Sequence, residues 1–119
     1  MGDITKDFSR KEFACHCGCG KDDICQTLVE ILQTIRNEIE IPIIIHSGVR
    51  CEKYNAEVGG EKKSAHIRGR AVDIKCLDSR TRYNLIWKLI NRFDRIGIGK
   101  DFIHVDIDYT LPRQMIWIY

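Results

Sequence analysis

Residues 64–73 read SAHIRGRAVD, and a second stretch, DFIHVD, follows at residues 101–106. Together they contain two imidazoles and several carboxylates, the groups from which proteins build metal centres. A catalytic zinc ion takes three nitrogen or oxygen ligands and leaves a fourth position for water. His66, Asp73 and His104 would meet that requirement, so the two stretches predict a metal hydrolase.

The first stretch is predicted to be a loop followed by a strand. Gly69 lies between His66 and Asp73 and indicates that His66 is on a loop. A strand is expected from residue 71 to 75, with Asp73 and its aliphatic neighbours on opposite faces. Ser64 is expected to cap the turn that presents His66. A carboxylate so close to a core is costly unless it is paired, and a metal ion relieves that cost.

The second stretch is predicted to be a strand over residues 102–107, with His104 and Asp106 on one face. Asp101 precedes it, where a turn can aim the carboxylate at the same metal. Metal-assisted hydrolysis needs a base that accepts a proton from water and later delivers it to the leaving amine. We assign that role to Asp101, and expect Asp106 to orient a ligand imidazole.

Length and charge limit the protein class. The 119 residues predict a single domain, residues 1–119. Lys and Arg number 19 against 17 Asp and Glu, and no basic run suggests binding to nucleic acid. No stretch approaches the roughly twenty apolar residues of a membrane span. The first residues lack the apolar core of a signal peptide, so we expect cytoplasmic synthesis followed by release through lysis or virion packaging.

Six cysteines are many for this length, and they are unevenly distributed. Cys51 and Cys76 stand apart, whereas four lie within a short glycine-containing segment: Cys15, Cys17, Cys19 and Cys25. Thiolates at close spacing are typical of a second, structural metal site. An even count also permits disulfides outside the cell, and free thiols are the expectation in a reducing cytoplasm.

The hydrophobic pattern predicts an α+β fold in which two long helices pack with a small, mostly antiparallel sheet. Ser9 and Glu12 are expected to form a capping box for a first helical turn. The remaining predicted elements are a helix from Asp22 or Asp23 to about Glu38, a buried strand at 43–45, a short helix at 52–58, a helix from Asp78 or Ser79 to about Phe93, a hairpin of 96–99 with 102–107, and an edge strand at 115–119.

Each long helix has an apolar stripe that is predicted to be its buried face. The stripe of the first consists of Ile24, Leu28, Ile31, Leu32 and Ile35. The stripe of the second consists of Tyr83, Ile86, Trp87, Ile90 and Phe93.

The motif Ser64-x-His66-x-x-Gly69-x-Ala71-x-Asp73, followed by Asp101-x-x-His104, resembles the zinc D-Ala-D-Ala carboxypeptidases, peptidase family M15. That family includes phage endolysins that cut L-Ala-D-Glu bonds, and Ser-Gly-Val-Arg at residues 47–50 resembles its Ser-Gly-Tyr-Arg segment. The resemblance covers residues 8–106 and implies a fold like that of hedgehog and D-Ala-D-Ala peptidases.

The resemblance also implies residue roles. His66, Asp73 and His104 correspond to zinc ligands, Asp101 to the general base, and Arg50 to a group that binds or polarises a substrate carbonyl. The implied substrate is a peptidoglycan stem peptide with D-residues, and the implied protein is a monomeric peptidase acting on the cell wall. Trimming of a terminal D-Ala and cleavage of an internal stem bond both fit.

Two other classes of function are compatible with these residues. One is a cell-wall-binding module that keeps zinc without turnover, which the presence of Asp101 and Arg50 argues against. The other is a cysteine-based metal or redox protein in which the histidines are incidental.

Overall fold

The computed structural model describes residues 2–119, so only Met1 of the predicted domain lies outside it. The described residues form a 3₁₀ turn, η1, three α-helices and five strands. In chain order these are η1 (Arg10–Phe13), α1 (Gln26–Ile39), β1 (Ile45–Ser47), α2 (Glu52–Glu57), β2 (Ala71–Lys75), α3 (Ser79–Leu89), β3 (Arg95–Ile98), β4 (Phe102–Asp106) and β5 (Met115–Ile118). Among the described residues, no helix combines the length and apolar character needed to cross a membrane.

The strands form one sheet in the order β1-β2-β4-β3-β5. β1, β2, β4 and β3 pair antiparallel, and β3 and β4 form the predicted hairpin. β5 pairs parallel with β3 at the sheet edge. The predicted α+β fold with two long helices and a mostly antiparallel sheet is confirmed, and the parallel edge pair makes the sheet mixed.

The two faces of the sheet differ in chemistry. Aliphatic side chains such as Val72 and Ile103 belong to a core that they share with α1 and α3. Because side chains alternate along a strand, the next residues, Asp73 and His104, project from the opposite face. Each fully buried aliphatic side chain contributes about 1.5–3 kcal/mol, so the helix-covered face fixes the sheet and leaves the polar face for a site.

The predicted buried face of the second long helix is wrong for three of its five residues. Tyr83, Trp87 and Ile90 are exposed by 70%, 60% and 50%, while Leu85 and Leu89 are buried. Leu85, Leu89 and Phe93 are spaced by four residues, so the segment carries two apolar stripes at helical spacing. Packing against α1 and the sheet selects the smaller, leucine-containing stripe.

Two predicted boundaries also differ. The strand predicted at 43–45 is Ile45–Ser47, and Ile44 is 54% exposed, because β1 is an edge strand whose apolar run only partly faces the core. The first long helix begins after Cys25, the N-cap, rather than at Asp22 or Asp23. The Cys25 N–H donates to the Gly69 carbonyl at 2.8 Å, which holds this segment against the His66 loop in a non-helical conformation.

The capping box of η1 is confirmed, since the Ser9 N–H donates to Glu12 Oε2 at 2.6 Å. The turn ends at Phe13, a fully buried residue whose carbonyl accepts the Val49 N–H at 2.8 Å. Gly48 permits this contact, because a Cβ there would lie 2.7 Å from the Phe13 carbonyl oxygen. The N-terminal segment is therefore fastened to the chain that follows β1.

Candidate active site

The register of the sheet places two of the predicted ligands directly opposite each other. Asp73 on β2 pairs with His104 on β4, and His104 pairs with Gly97 on β3. Side chains of paired residues lie on the same face, so the carboxylate and imidazole meet without any loop contribution. A Cβ at Gly97 would lie 2.6 Å from Trp117 Nε1, so glycine there leaves room for the indole beside His104.

A tight loop brings the third predicted ligand to the same point. The His66 N–H donates to Ser64 Oγ at 3.2 Å, so Ser64 forms the turn predicted for it. Gly69 adopts φ 69°, and a Cβ there would lie 2.2 Å from the Asp23 carbonyl oxygen. His66 Nδ1 donates to the Gly48 carbonyl at 2.7 Å, which leaves Nε2 as the nitrogen that faces Asp73.

The three side chains converge on one carboxylate oxygen. Asp73 Oδ1 lies 3.3 Å from His66 Nε2 and 2.9 Å from His104 Nδ1. All three residues are buried, with exposed fractions of 3% for His66, 5% for Asp73 and 6% for His104. A ligand atom from each lies within 4.8 Å of the other two. The geometry is that of a preformed, buried three-ligand set.

The electrostatics of this set favour a cation. Burial alone raises the pKa of Asp73, but hydrogen bonds from His104 and His66 and their charges hold it well below its usual range. Burial alone lowers the pKa of His104, yet the Asp106 and Asp73 carboxylates on its two nitrogens raise it overall. A positive charge between these groups is therefore stabilised, whether it is a proton or a metal ion.

The donor set fits a catalytic divalent metal. Two imidazoles and one carboxylate are a common set for catalytic zinc, and borderline-soft zinc accepts both nitrogen and oxygen ligands. His66 and His104 each present one nitrogen toward Asp73, while the other nitrogen is bound by a protein oxygen. Such outer contacts fix the tautomer and orientation of ligand imidazoles. His66, Asp73 and His104 are thus the residues that would hold the ion.

Arg50 contacts the predicted ligand set through Asp73. Its Nη2 donates to Asp73 Oδ2 at 3.3 Å, on the carboxylate oxygen that does not face the imidazoles. Its Nη1 donates to Asn55 Oδ1 at 3.1 Å, and Asn55 Nδ2 donates to the Glu61 carbonyl at 2.8 Å. The structure therefore places Arg50 at the cleft, in a chain of contacts that extends to the rim.

Asp106 makes the predicted contact with a ligand imidazole. His104 Nε2 lies 2.7 Å from Asp106 Oδ2, and Asp106 is only 2% exposed. Arg95 Nε donates to both oxygens of Asp106, at 2.9 and 3.1 Å, and balances its charge. Arg95 is the first residue of β3 and belongs to no recognisable motif, so it was not among the predicted site residues.

Asp101 is not brought to the other predicted site residues. It is exposed in the turn between β3 and β4 and does not line the cleft, although the next residue, Phe102, does. Within β4, Phe102, His104 and Asp106 share the cleft side because side chains alternate, and a residue three before His104 falls outside that series. The role assigned to Asp101 remains a prediction.

The site lies at the base of an open cleft of about 900 Å³. One wall is the loop at residues 58–65, and the other is formed by aromatic side chains of the C-terminal segment. Trp117 lies 5.4 Å from His104 and Tyr119 lies 5.0 Å from Phe102, measured between ring centroids. Trp117 and Tyr119 were not among the predicted site residues, and the one sequence feature that connects them is a shared face on the predicted edge strand.

Comparison with known proteins identifies a matching family. The family model described as Peptidase M15 matches residues 6–106, which include every predicted site residue. The search of curated proteins gave no significant match.

Proposed function

The chain belongs to the peptidase M15 family, and on this premise we propose that it is a zinc metallopeptidase of peptidoglycan stem peptides. One observation carries the proposal: His66, Asp73 and His104 converge, buried, at the base of an open cleft. Cleavage next to a D-residue, by trimming a terminal D-Ala or cutting an internal L-Ala-D-Glu bond, is the activity we expect.

His66, Asp73 and His104 would hold the zinc ion, which when bound supplies a Lewis acid and lowers the pKa of water. Arg50 is half-buried beside Asp73 and carries a fixed positive charge. A guanidinium in that position stabilises negative charge developing on the scissile carbonyl oxygen. Asp106 and Arg95 hold the His104 ring in place.

Hydrolysis also requires a general base that accepts a proton from the attacking water. We assign this role to Asp101, which sits in the turn directly before cleft residue Phe102. Asp101 is exposed and lies before β4, so the alternation of side chains along that strand does not fix the direction of its carboxylate. Glu61 is the competing candidate, because it lines the cleft and, unlike Asp73 and Asp106, makes no side-chain contact with a histidine.

The cleft suits an extended, anionic peptide. Trp117 and Tyr119 offer apolar contact along one wall, and Lys62 and Lys63 add positive charge on the opposite rim. Peptidoglycan stems carry free carboxylates on D-Glu and at their ends, so both kinds of contact have a partner. The open shape admits a bond within a stem as well as a terminal one.

Mass spectrometry of soluble fragments released from purified peptidoglycan tests the proposal and identifies the bond cut. We expect new amino termini or released D-Ala with the zinc-loaded wild type, and none with His66→Ala. Intact stem peptides after prolonged incubation of zinc-loaded wild type would contradict the peptidase assignment.

The position of Asp101 favours a second candidate, a zinc-containing module that binds cell-wall peptides without cutting them. Equilibrium binding to stem peptides distinguishes the two. Binding that depends on zinc and on Arg50, without any product, supports the module. Product formation at a rate proportional to enzyme concentration supports the peptidase.

A further inference from the structure

A second set of metal-binding side chains lies outside the cleft. The sulfur atoms of Cys15, Cys17, Cys19 and Cys51 all lie within 4.8 Å of one another. None of the four lines the cleft that contains the histidines. The N-terminal loop provides three of these cysteines, and the fourth comes from the N-cap of α2.

The sulfur separations among Cys15, Cys17 and Cys51 are close to those of a tetrahedral thiolate site. Cys15 Sγ lies 3.5 Å from Cys17 Sγ and 3.8 Å from Cys51 Sγ, and Cys17 Sγ lies 3.6 Å from Cys51 Sγ. Zinc–sulfur bonds of about 2.3 Å in a regular tetrahedron separate the sulfurs by about 3.8 Å. The atoms of a disulfide are far closer, at about 2.05 Å.

The loop backbone is shaped to bring these sulfurs together. Gly18 and Gly20, each directly after a cysteine, adopt φ values of 84° and 88°, a region that L-residues rarely occupy. A Cβ on either glycine would meet nothing within 4 Å, so glycine is favoured at both positions by the positive φ and not by a lack of space. The Cys15 N–H donates to the Lys21 carbonyl at 2.8 Å and closes the loop.

Backbone amides already point at the sulfur atoms. The Cys51 N–H donates to Cys15 Sγ at 3.4 Å, and the Tyr54 N–H donates to Cys51 Sγ at 3.4 Å. N–H donors stabilise the negative charge of thiolates, the form in which cysteine binds metals. The four thiols differ in exposure: Cys17 and Cys19 are exposed, Cys51 is half-buried and Cys15 is buried.

We propose that Cys15, Cys17, Cys19 and Cys51 bind a structural zinc ion, separate from the catalytic ion. Four thiolates leave no position for water, which distinguishes this site from the three-ligand centre. The sequence pattern had grouped Cys25 with the first three cysteines. Cys25 is instead the N-cap of α1 and packs against the hydrophobic core, and Cys51, distant in sequence, completes the set.

The ion would fasten the N-terminal loop to the segment that supports the catalytic cleft. Cys51 directly follows Arg50, whose N–H donates to the His66 carbonyl at 3.0 Å. Val49, which precedes Arg50, donates its N–H to the carbonyl of Phe13 in the N-terminal segment. Zinc at the four cysteines cross-links these two segments at the point where Arg50 enters the cleft.

Metal stoichiometry in the purified full chain tests the proposal. We expect two zinc ions per chain in the wild type, one in Cys51→Ser and one in His66→Ala. Cys25→Ala is the matched control and keeps two. Cobalt loaded into His66→Ala should give the strong thiolate-to-cobalt charge-transfer absorption of a four-sulfur site, and this absorption should be missing from His66→Ala/Cys51→Ser.

A measurement on wild-type protein avoids any folding defect of the variants. Alkylation followed by peptide mass spectrometry should show Cys17 and Cys19 protected when zinc is present, although both are exposed, and reactive after chelation. Cys25 should react equally in both conditions. A single zinc ion in wild type, unprotected Cys17 and Cys19, disulfides among the four in freshly isolated protein, or iron in place of zinc would each overturn the proposal.

Discussion

The two candidate metal centres of this chain differ in the kind of backbone that positions their side chains. His104 and Asp73 lie on paired strands of one sheet, and their separation follows from backbone register. Cys15, Cys17 and Cys19 lie on a glycine-containing loop, and the fourth sulfur, from Cys51, comes from another part of the chain. The histidine centre is buried, whereas half of the cysteine set is exposed.

This difference indicates what each centre needs from a metal. The strands of the histidine centre are held by a core of aliphatic side chains, so its geometry exists without an ion. Residues 16–20 of the cysteine loop are exposed, so a metal ion bound there would contribute directly to folding stability. We therefore expect the first ion to control activity and the second to control stability.

The largest expected effect is the loss of peptide hydrolysis when the histidine centre is disrupted. His66→Ala should lower peptidase kcat/KM by at least about 10³-fold, because the Lewis acid is lost, while its melting temperature falls less than that of Cys51→Ser. Cys51→Ser should lower the melting temperature by roughly 10 °C, as expected for losing a cross-link across a long loop, and retain most of its activity at low temperature. Peptide hydrolysis and thermal unfolding measure the two effects, and an exchanged pattern would reverse the assignment.

The next effect concerns proton transfer at the histidine centre. Asp101→Ala should keep both zinc ions and lower kcat about 10²- to 10⁴-fold, the usual contribution of a general base. Glu61→Ala is the comparison variant and should lower kcat less. Steady-state kinetics, with metal analysis of the same samples, measures both losses of kcat. A larger loss of kcat in Glu61→Ala than in Asp101→Ala would assign the general base to Glu61.

Arg50 lies between the two centres and should affect only one of them. Arg50→Ala is expected to reduce kcat about 10²-fold, because a fixed positive charge near the scissile carbonyl is removed. Both zinc ions should remain bound. Arg50→Lys retains the charge without the fork that reaches Asp73 and Asn55, and should recover part of the rate. Equal rates for wild type and Arg50→Ala would exclude Arg50 from catalysis.

Asp106 should affect the metal affinity of the histidine centre alone. Asp106→Asn should weaken zinc binding at the histidine centre by about 10- to 100-fold, because His104 loses the carboxylate that orients it. Competition with a chelator of known affinity measures this loss. The cysteine centre, which Asp106 does not contact, should keep its affinity and provides the internal control in each titration.

The smallest expected effect is a pH-dependent contribution to stability near the His66 loop. Burial raises the pKa of Asp108, but hydrogen bonds from Thr110 and Arg68 and the Arg68 charge lower it overall. A lowered native pKa stabilises the fold above the unfolded pKa of about 3.9, and the stabilisation disappears as pH falls through the native pKa. Asp108→Asn should therefore cost about 1–2 kcal/mol at pH 7, a value reduced for the partly exposed Arg68, and much less at strongly acidic pH.

Thermal unfolding of Asp108→Asn against wild type across acidic and neutral pH measures this effect. The difference in melting temperature, roughly 5 °C at pH 7, should persist after chelation, because Asp108 and Arg68 act without metal. A difference independent of pH would show that Asp108 acts through shape rather than charge.

Much of the histidine centre was predictable because its chemistry is local. The residues around Gly69 specify a loop, and the alternation in residues 71–75 and 102–106 specifies which side chains share a face. Once the strands pair, His66, Asp73 and His104 meet, as predicted. Ser64 and Asp106 also make the contacts expected of them.

The fold class, the convergence of His66, Asp73 and His104 and the positions of most elements were therefore predictable from the amino-acid sequence, because they depend on periodicity and short-range turns. Tertiary structure alone decided that Cys51 rather than Cys25 joins the cysteine set, that α3 buries Leu85 rather than Trp87, and that Trp117 lines the cleft. Each of these depends on which distant segments pack together. Spacing along the chain carries no information about such contacts, because they are fixed by the burial of the shared core.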